Sequence, residues 1–208
     1  MLDNSAFVLR RRKLGKARIV IPSKTEFEKL VATLRRLDVR CRDAADLIEP
    51  LAYSGMRLAE ATSIVWGDVD FKAGRFTVTG GELGTKNHEA RVVPLFPAMR
   101  AYLERMRSTR EIASDALIIG IGKATKALDH ACEVAALPRF THHCMRHYFV
   151  SNAIETGIDF KTIAAWVGHN DGGLLVAKTY GHLRDTHSFE MAKRMTFHAS
   201  AQSAPDLP

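Results

Sequence analysis

The chain has 208 residues, of which 46% are hydrophobic and 25% are charged. These proportions are typical of a globular protein, and they exclude a disordered chain, a collagen-like repeat and a coiled coil. Lysines and arginines exceed acidic residues by seven, a charge that favours polyanionic partners, above all nucleic acid. Six of the 30 basic residues lie within residues 1–18, so the rest of the chain is close to neutral. Charge alone therefore does not identify a function.

The cysteines and the apolar segments indicate where the protein works. Cys41, Cys132 and Cys144 are far apart in sequence and form no Cys-x-x-Cys pair, as is typical of a reduced compartment. No apolar run approaches the roughly 18 residues of a membrane span. The first residues do not have the form of a signal peptide. We therefore expect a cytoplasmic protein without a membrane partner.

The first part of the chain is predicted to be a linker followed by helices. Residues 1–21 are basic and show no clear apolar period, which indicates a linker or arm. Ser23 and Glu26 have the spacing of a capping box, and an apolar helical period follows them. A second helix is predicted over residues 42–53, where Pro50 is expected to kink or break it.

Short β-branched runs separated by glycines come next. After Gly55 a short helix is predicted over residues 57–64, and residues 69–71, 75–79 and 91–95 are predicted to pair as a small antiparallel sheet. The predicted class is mainly α with this small antiparallel β-sheet, an α+β fold. Further helical patterns cover about residues 97–108, 122–135, 142–156, 159–168 and 187–197.

Six polar residues, scattered over five segments, are the candidates for chemistry. One is an arginine at the start of a helix, and one is a lysine in a glycine-rich turn. Two form a His-x-x-Arg pattern, one is a histidine directly after a glycine, and the last is a tyrosine with a histidine two residues later. These candidates are Arg57, Lys86, His143, Arg146, His169 and Tyr180.

This ordered set resembles the tyrosine recombinases, the phage-integrase family. Residues 54–60, Ser-Gly-Met-Arg-Leu-Ala-Glu, match the family's first arginine box, and residues 141–180 match its second box. The similarity extends from about residue 20 to residue 198. The resemblance implies a tyrosine recombinase catalytic-domain fold over residues 22–198, with a flexible tail at 199–208. Family members usually carry a further helical clamp domain before this one, so we expect an isolated catalytic domain.

The resemblance implies a site-specific recombinase or integrase of a phage or another mobile element. Tyr180 would attack double-stranded DNA, form a 3′-phosphotyrosyl intermediate and exchange strands, without metal, ATP or cofactor. Four protomers on two paired DNA sites would cooperate in the full enzyme, whereas the isolated domain is expected to be monomeric. The protein would be bacterial or phage-encoded, and would associate with the nucleoid in the cytoplasm.

The chemistry of a phosphodiester explains the residue types at four of these positions. A phosphodiester is anionic, and the pKa of a tyrosine phenol is about 10, so attack by Tyr180 needs charge neutralisation and proton transfer. Arg57 and Arg146 are suited to the non-bridging phosphate oxygens because a guanidinium is always charged and offers paired donors. His143 lies three residues before Arg146 on the same predicted helix face, and it is the candidate for proton exchange with Tyr180.

The other roles come from the resemblance. Lys86 is similar to the family's general acid, which protonates the leaving 5′ oxygen, and Lys72 is a competing candidate. His169 would donate a hydrogen bond to a phosphate oxygen. The interval from His169 to Tyr180 is 11 residues, about two more than in many family members.

Three alternatives remain open at this point. A type IB topoisomerase uses similar chemistry, a catalytically inactive DNA-binding module keeps the same fold, and a metal hydrolase would use the histidine cluster. That cluster contains His142, His143 and His147 beside Cys144, without the His-Glu-x-x-His spacing. His142 and His147 are predicted to be structural, and Glu60 is predicted to pair within its own turn. The sequence does not decide whether the helix at 187–197 docks on its own protomer or on a neighbour.

Overall fold

A computed structural model describes residues 20–80, 90–107, 113–169 and 172–180; within the last range it does not describe the side chains of residues 175, 178 and 180. Residues 1–19 of the predicted linker, Lys86, the predicted helix at 187–197 and the predicted tail at 199–208 lie outside the described residues. The helices are α1 (Lys24–Arg36), α2 (Val39–Ser54), α3 (Leu58–Ala61), α4 (Pro97–Arg107), α5 (Thr125–Val134), α6 (His142–Glu155), α7 (Phe160–Val167) and α8 (Leu174–Tyr180), and the strands are β1 (Val69–Asp70), β2 (Arg75–Val78) and β3 (Arg91–Pro94).

The first helix begins as predicted. The Ser23 hydroxyl accepts a hydrogen bond from the amide of Glu26 at 3.2 Å, and the Glu26 carboxylate accepts one from the amide of Ser23 at 2.8 Å. The second helix begins earlier than predicted, because the carboxylate of Asp38 caps it by accepting from the amide of Cys41 at 3.0 Å. Both helices thus start where a side chain satisfies an amide that has no partner within the helix.

The predicted break at Pro50 does not occur, because α2 runs through Pro50 to Ser54. A proline has no amide hydrogen, so the carbonyl of Asp46, four residues earlier, loses its helical donor. The hydroxyl of Tyr102 on α4 replaces that donor and lies 2.7 Å from the Asp46 oxygen. A distant tyrosine therefore satisfies the carbonyl that the proline leaves without a partner.

Helix α2 is the centre of the main core. It packs against α1, α4, α5 and α6, and Leu47 and Ile48 are completely buried. Full burial of a leucine or isoleucine side chain stabilises the folded state by roughly 1.5–3 kcal/mol relative to an exposed side chain. The sheet order β1-β2-β3 is antiparallel as predicted, and it pairs Phe76 with Val93, two residues buried in the same core. The predicted class, mainly α with one small antiparallel sheet, is confirmed.

Gly55 ends α2 in the left-handed region, with a φ of 66°. A β carbon at this position would lie 2.5 Å from the ring of Phe149 on α6. Only glycine therefore allows both the turn and the close approach of α6. This turn directs the chain into α3 and places Arg57 beside the start of α6.

A second, smaller core joins the later helices. Phe149 and Val150 on α6, Ile163 on α7 and Val176 on α8 are buried in it. Helix α8, which carries Tyr180, was not predicted from the sequence. It follows Gly173, whose β carbon would lie 2.8 Å from the backbone of Phe160, so α8 begins in close contact with the start of α7. None of the described helices has the length and apolar character that crossing a membrane requires.

Candidate active site

The end of α7 organises the site. Gly168 adopts a left-handed conformation, and the amide of His169 donates to the carbonyl of Ala164 at 2.9 Å, a Schellman ending. This ending leaves the carbonyls of residues 166, 167 and 168 directed away from the helix. Each of the three accepts a hydrogen bond from a different arginine: Arg91 to Trp166 at 2.8 Å, Arg146 to Val167 at 2.6 Å, and Arg57 to Gly168 at 3.3 Å. Cations at a helix C-terminus also complement its dipole.

Arg146 is the most deeply buried of these three arginines, with 5% of its surface exposed. Its guanidinium donates to the carbonyl of Gly55 at 2.6 Å and lies 3.0 Å from Nε2 of His169. Because arginine only donates, His169 accepts at Nε2 and carries its proton on Nδ1. Burial, and then the nearby Arg57, lower the pKa of Arg146 to about 9, so the group is charged at neutral pH.

Glu60 lies between two arginines. Its carboxylate accepts from the Arg57 side chain at 2.8 Å and from both terminal nitrogens of Arg91, at 3.0 and 2.7 Å. Burial raises the pKa of Glu60, but the hydrogen bonds and charges of Arg91 and Arg57 outweigh burial and lower it to about 2. Glu60 is therefore ionised and pairs within its own turn, as predicted, but it also pairs with a strand 31 residues away.

His143 lies on the first turn of α6, beside these charges. Burial, followed by the charges of Arg146 and Arg57, lowers its pKa below the ordinary value. The ring of His147, one turn further along α6, meets the ring of His143 edge to face with 4.5 Å between centroids. The lowered pKa favours the neutral ring at neutral pH, and only the neutral ring can accept a proton.

We expect acid to destabilise the protein through His147. Burial, then His143 and Arg146, lower the pKa of His147 from 6.5 to about 4. Between these values the unfolded chain binds a proton that the folded chain does not bind, so stability falls as the pH falls from 6.5 to 4. Because the ring is only about half-buried, we expect the free energy of unfolding to fall by roughly 1–2 kcal/mol over this range. Urea unfolding at pH 7 and pH 5 should show a smaller pH effect in His147→Gln than in the wild type, and an equal pH effect in the two proteins would contradict this expectation.

The described residues bring together four of the six predicted site residues. Arg57, His143, Arg146 and His169 come from α3, α6 and the end of α7, and they converge through the contacts above. Lys86 and the side chain of Tyr180 lie outside the described residues, so their positions stay predictions. The competing Lys72 lies exposed in the turn between β1 and β2.

His142 has the structural role that was predicted for it. Its Nε2 accepts a hydrogen bond from the amide of Ala124 at 3.1 Å, which ties the start of α6 to the start of α5.

Arg91 was not selected as a site residue from the sequence, because in the sequence Arg91 is only the first residue of a predicted strand. Within the described ranges, no three histidine, cysteine or acidic side chains lie together as a metal site requires.

Comparison with known proteins identifies the family. The profile of the phage integrase family matches residues 23–187. The chain belongs to the phage integrase family. Tyrosine recombinase XerA of Thermococcus onnurineus is 30% identical over 184 residues, which cover 81% of this chain and 61% of XerA. TnP I resolvase of Bacillus thuringiensis is 29% identical over 125 residues, covering 58% of this chain and 44% of the resolvase. The chain thus spans about half the length of the curated relatives it matches.

Solved structures share the fold at low sequence identity. The catalytic domain of bacteriophage HP1 integrase superposes with a TM-score of 0.62 and 19% identity, covering 89% of this chain and all of that domain. The crystal structure of XerA recombinase gives a TM-score of 0.61 and 20% identity, covering 86% of this chain and 66% of XerA. The XerH recombinase, in a post-cleavage complex with a palindromic difH substrate, gives a TM-score of 0.63 and 19% identity. The match covers 88% of this chain and 55% of the XerH chain. The fold is that of a tyrosine recombinase catalytic domain.

Proposed function

We propose that this chain supplies the catalytic domain of a site-specific DNA recombinase, which cleaves and rejoins DNA strands through a covalent tyrosyl intermediate. One observation carries the proposal. Two arginines and two histidines from separate parts of the chain converge at the end of α7. They belong to the ordered set by which the chain resembles the phage integrase family, whose profile matches residues 23–187, and the XerH structure is a post-cleavage complex with a DNA substrate. The domain would extend over residues 22–198.

Arg57 and Arg146 would bind the non-bridging oxygens of the phosphate that reacts. Arg57 lies at the edge of the cluster, with 26% of its side chain exposed, whereas Arg146 lies deeper. Backbone carbonyls already orient both guanidiniums, so little side-chain entropy is lost when the phosphate binds. His169 would join them by donating from Nε2 to a phosphate oxygen, which requires that Nε2 give up its present contact with Arg146 and carry the ring proton in place of Nδ1.

Proton transfer would complete the reaction. The phenol oxygen of Tyr180 attacks phosphorus and forms the 3′-phosphotyrosyl bond, while the bond from phosphorus to the 5′ oxygen breaks. His143 takes the phenol proton, and Lys86 gives a proton to the leaving 5′ oxygen. A 5′-hydroxyl of a second strand then attacks the phosphotyrosine and reverses these transfers. Because one phosphate ester replaces another, the exchange needs no ATP.

Double-stranded DNA is therefore the proposed partner. Its phosphates would meet a chain with an excess of seven basic residues, and binding should weaken steeply with salt. Four protomers on two paired sites would form the active assembly of the full enzyme, and the domain alone would be monomeric. A cytoplasmic location and independence of metals stay predictions.

Covalent trapping on DNA tests the proposal. The protein is mixed with nicked duplex DNA, or with DNA that carries a bridging phosphorothiolate, in the presence of EDTA. These substrates prevent religation, so the intermediate accumulates and appears as a protein–DNA adduct on a denaturing gel. We expect the adduct, and mass spectrometry should locate it at Tyr180.

The outcomes separate the alternatives. An adduct at another residue would remove Tyr180 from its role. Binding of DNA without any adduct would favour the inactive DNA-binding module. An adduct that forms only when Mg²⁺ is supplied would contradict the metal-independent mechanism. Relaxation of supercoiled plasmid by the protein alone would favour the topoisomerase.

A further inference from the structure

Arg91 takes part in the site although it does not belong to the six predicted residues. It is the first residue of β3, and its guanidinium makes three hydrogen bonds of 2.7–3.0 Å, two to the Glu60 carboxylate and one to the carbonyl of Trp166. Its side chain is only 11% exposed, and that of Glu60 is 3% exposed. The arginine thus joins the sheet, helix α3 and the end of α7.

We propose that Arg91 is a positioning residue of this site: through the Glu60 carboxylate it fixes the direction of Arg57, and through the carbonyl of Trp166 it fixes the end of α7. The inference rests on the proposed phosphate-binding role of Arg57. It assigns to Arg91 no contact with DNA.

The division of hydrogen bonds at Glu60 explains how Arg91 would act. Arg91 binds both carboxylate oxygens in a forked arrangement, whereas the side chain of Arg57 binds one of them through a single terminal nitrogen. Forked pairing is the strongest geometry between a guanidinium and a carboxylate. Without Arg91, Arg57 would turn and take both oxygens. Its donors would then be directed at Glu60 and not at a phosphate.

Gly168 provides the space that this arrangement needs. A β carbon on Gly168 would lie 2.9 Å from Nη1 of Arg91, closer than side chains tolerate. The same glycine has a φ of 69° and ends α7. One residue therefore allows both the helix ending and the passage of Arg91 to Glu60.

The charged groups around Glu60 come from three elements. Arg57 lies at the start of α3 and Arg91 on β3, and the field of Glu60 also reaches Arg146 on α6. His169, bound to Arg146, completes the set. Loss of Arg91 removes the partner that forks onto Glu60, so the Glu60 carboxyl becomes easier to protonate.

The first test measures single-turnover cleavage of the trapping substrate at saturating DNA. We expect Arg91→Gln to cleave about 100-fold more slowly than the wild type, with DNA affinity changed only a few-fold. A small displacement of Arg57 would lower the rate of the chemical step much more than it would lower the affinity for DNA. Arg91→Lys keeps the charge without the fork and should restore part of the rate. Arg105→Gln is the matched control, since it removes an arginine from the buried Glu49 on another face, and it should cleave at the wild-type rate.

A double-substitution cycle separates positioning from general stability. If Arg91 acts through Glu60, the variant with both Arg91→Gln and Glu60→Gln should cleave no more slowly than the slower single variant. Losses that multiply would overturn the inference. Wild-type cleavage by Arg91→Gln would also overturn it, while leaving the proposed function intact.

A measurement without DNA keeps the inference testable if the wild type forms no adduct, a result that would count against the proposed function. Carbon-13 NMR of the Glu60 carboxyl should show no protonation between pH 8 and pH 4 in the wild type or in Arg105→Gln. In Arg91→Gln the same carboxyl should titrate in that range, and the Nε–H resonance of Arg57 should move. An unchanged Glu60 titration together with an unchanged Arg57 resonance would overturn the positioning role.

Discussion

Tyr180→Phe is expected to abolish the covalent adduct while DNA binding persists. The substitution removes one oxygen, which is the proposed nucleophile, and a phenyl ring has no group that can bond to phosphorus. We expect adduct formation to fall below detection, a loss of more than about 10⁴-fold, as for removal of a nucleophile in other enzymes. Denaturing gels measure the adduct, and fluorescence anisotropy with labelled duplex DNA measures the binding.

Tyr148→Phe is the matched control for that experiment. Tyr148 lies on α6, and its ring stacks on Phe27 with 4.7 Å between centroids, a contact that phenylalanine keeps. This variant should form the adduct at the wild-type rate. Adduct formation by Tyr180→Phe would show that another residue is the nucleophile. Loss of DNA binding in the same variant would show that Tyr180 has a docking role as well.

Arg146→Ala is expected to reduce cleavage about 10³-fold or more, with a much smaller loss of DNA affinity. A guanidinium directed at a phosphate acts mainly when charge develops in the transition state, and its removal costs rates of this order. The substitution also leaves the carbonyls of Gly55 and Val167 without their donor, so the free energy of unfolding should fall by roughly 1–3 kcal/mol. Single-turnover cleavage and urea unfolding measure the two effects.

Two controls separate the chemical effect from the structural one. Methylguanidinium added to Arg146→Ala should restore part of the cleavage rate, because it replaces the missing donor group. Arg139→Ala removes an exposed arginine that pairs with Asp129, and it should leave cleavage within about two-fold of the wild type, as surface pairs contribute little. Equal losses of rate and affinity in Arg146→Ala would instead make Arg146 a docking residue.

The sequence was sufficient for most of the fold because its signals are local. The capping box at Ser23, the glycine at residue 55 and the β-branched runs of the sheet each act within a few residues. Family membership was likewise predictable, since the order of six polar residues is a property of the chain and not of its folding.

The errors arose where a distant residue changes the local rule. Pro50 stays inside α2, and the hydroxyl of Tyr102 takes the place of the missing amide donor. The residues around Pro50 in the sequence give no sign that this tyrosine will pack there. Helix α8 was missed because its start depends on a glycine that packs against α7. Arg91 was missed because its three acceptors lie on Glu60 and Trp166, far from it in sequence.

The ending of α7 also determines how the site comes apart. Three consecutive carbonyls hold three arginines, and the amide of His169 closes the same turn on Ala164. Opening of that single turn would remove one acceptor from each of the three guanidiniums at the same time, while Glu60 and the carbonyl of Gly55 would still hold them. The exchange rate of the His169 amide with deuterium therefore reports how often the three arginines lose these carbonyl acceptors together. A ligand that binds the cluster must slow that exchange.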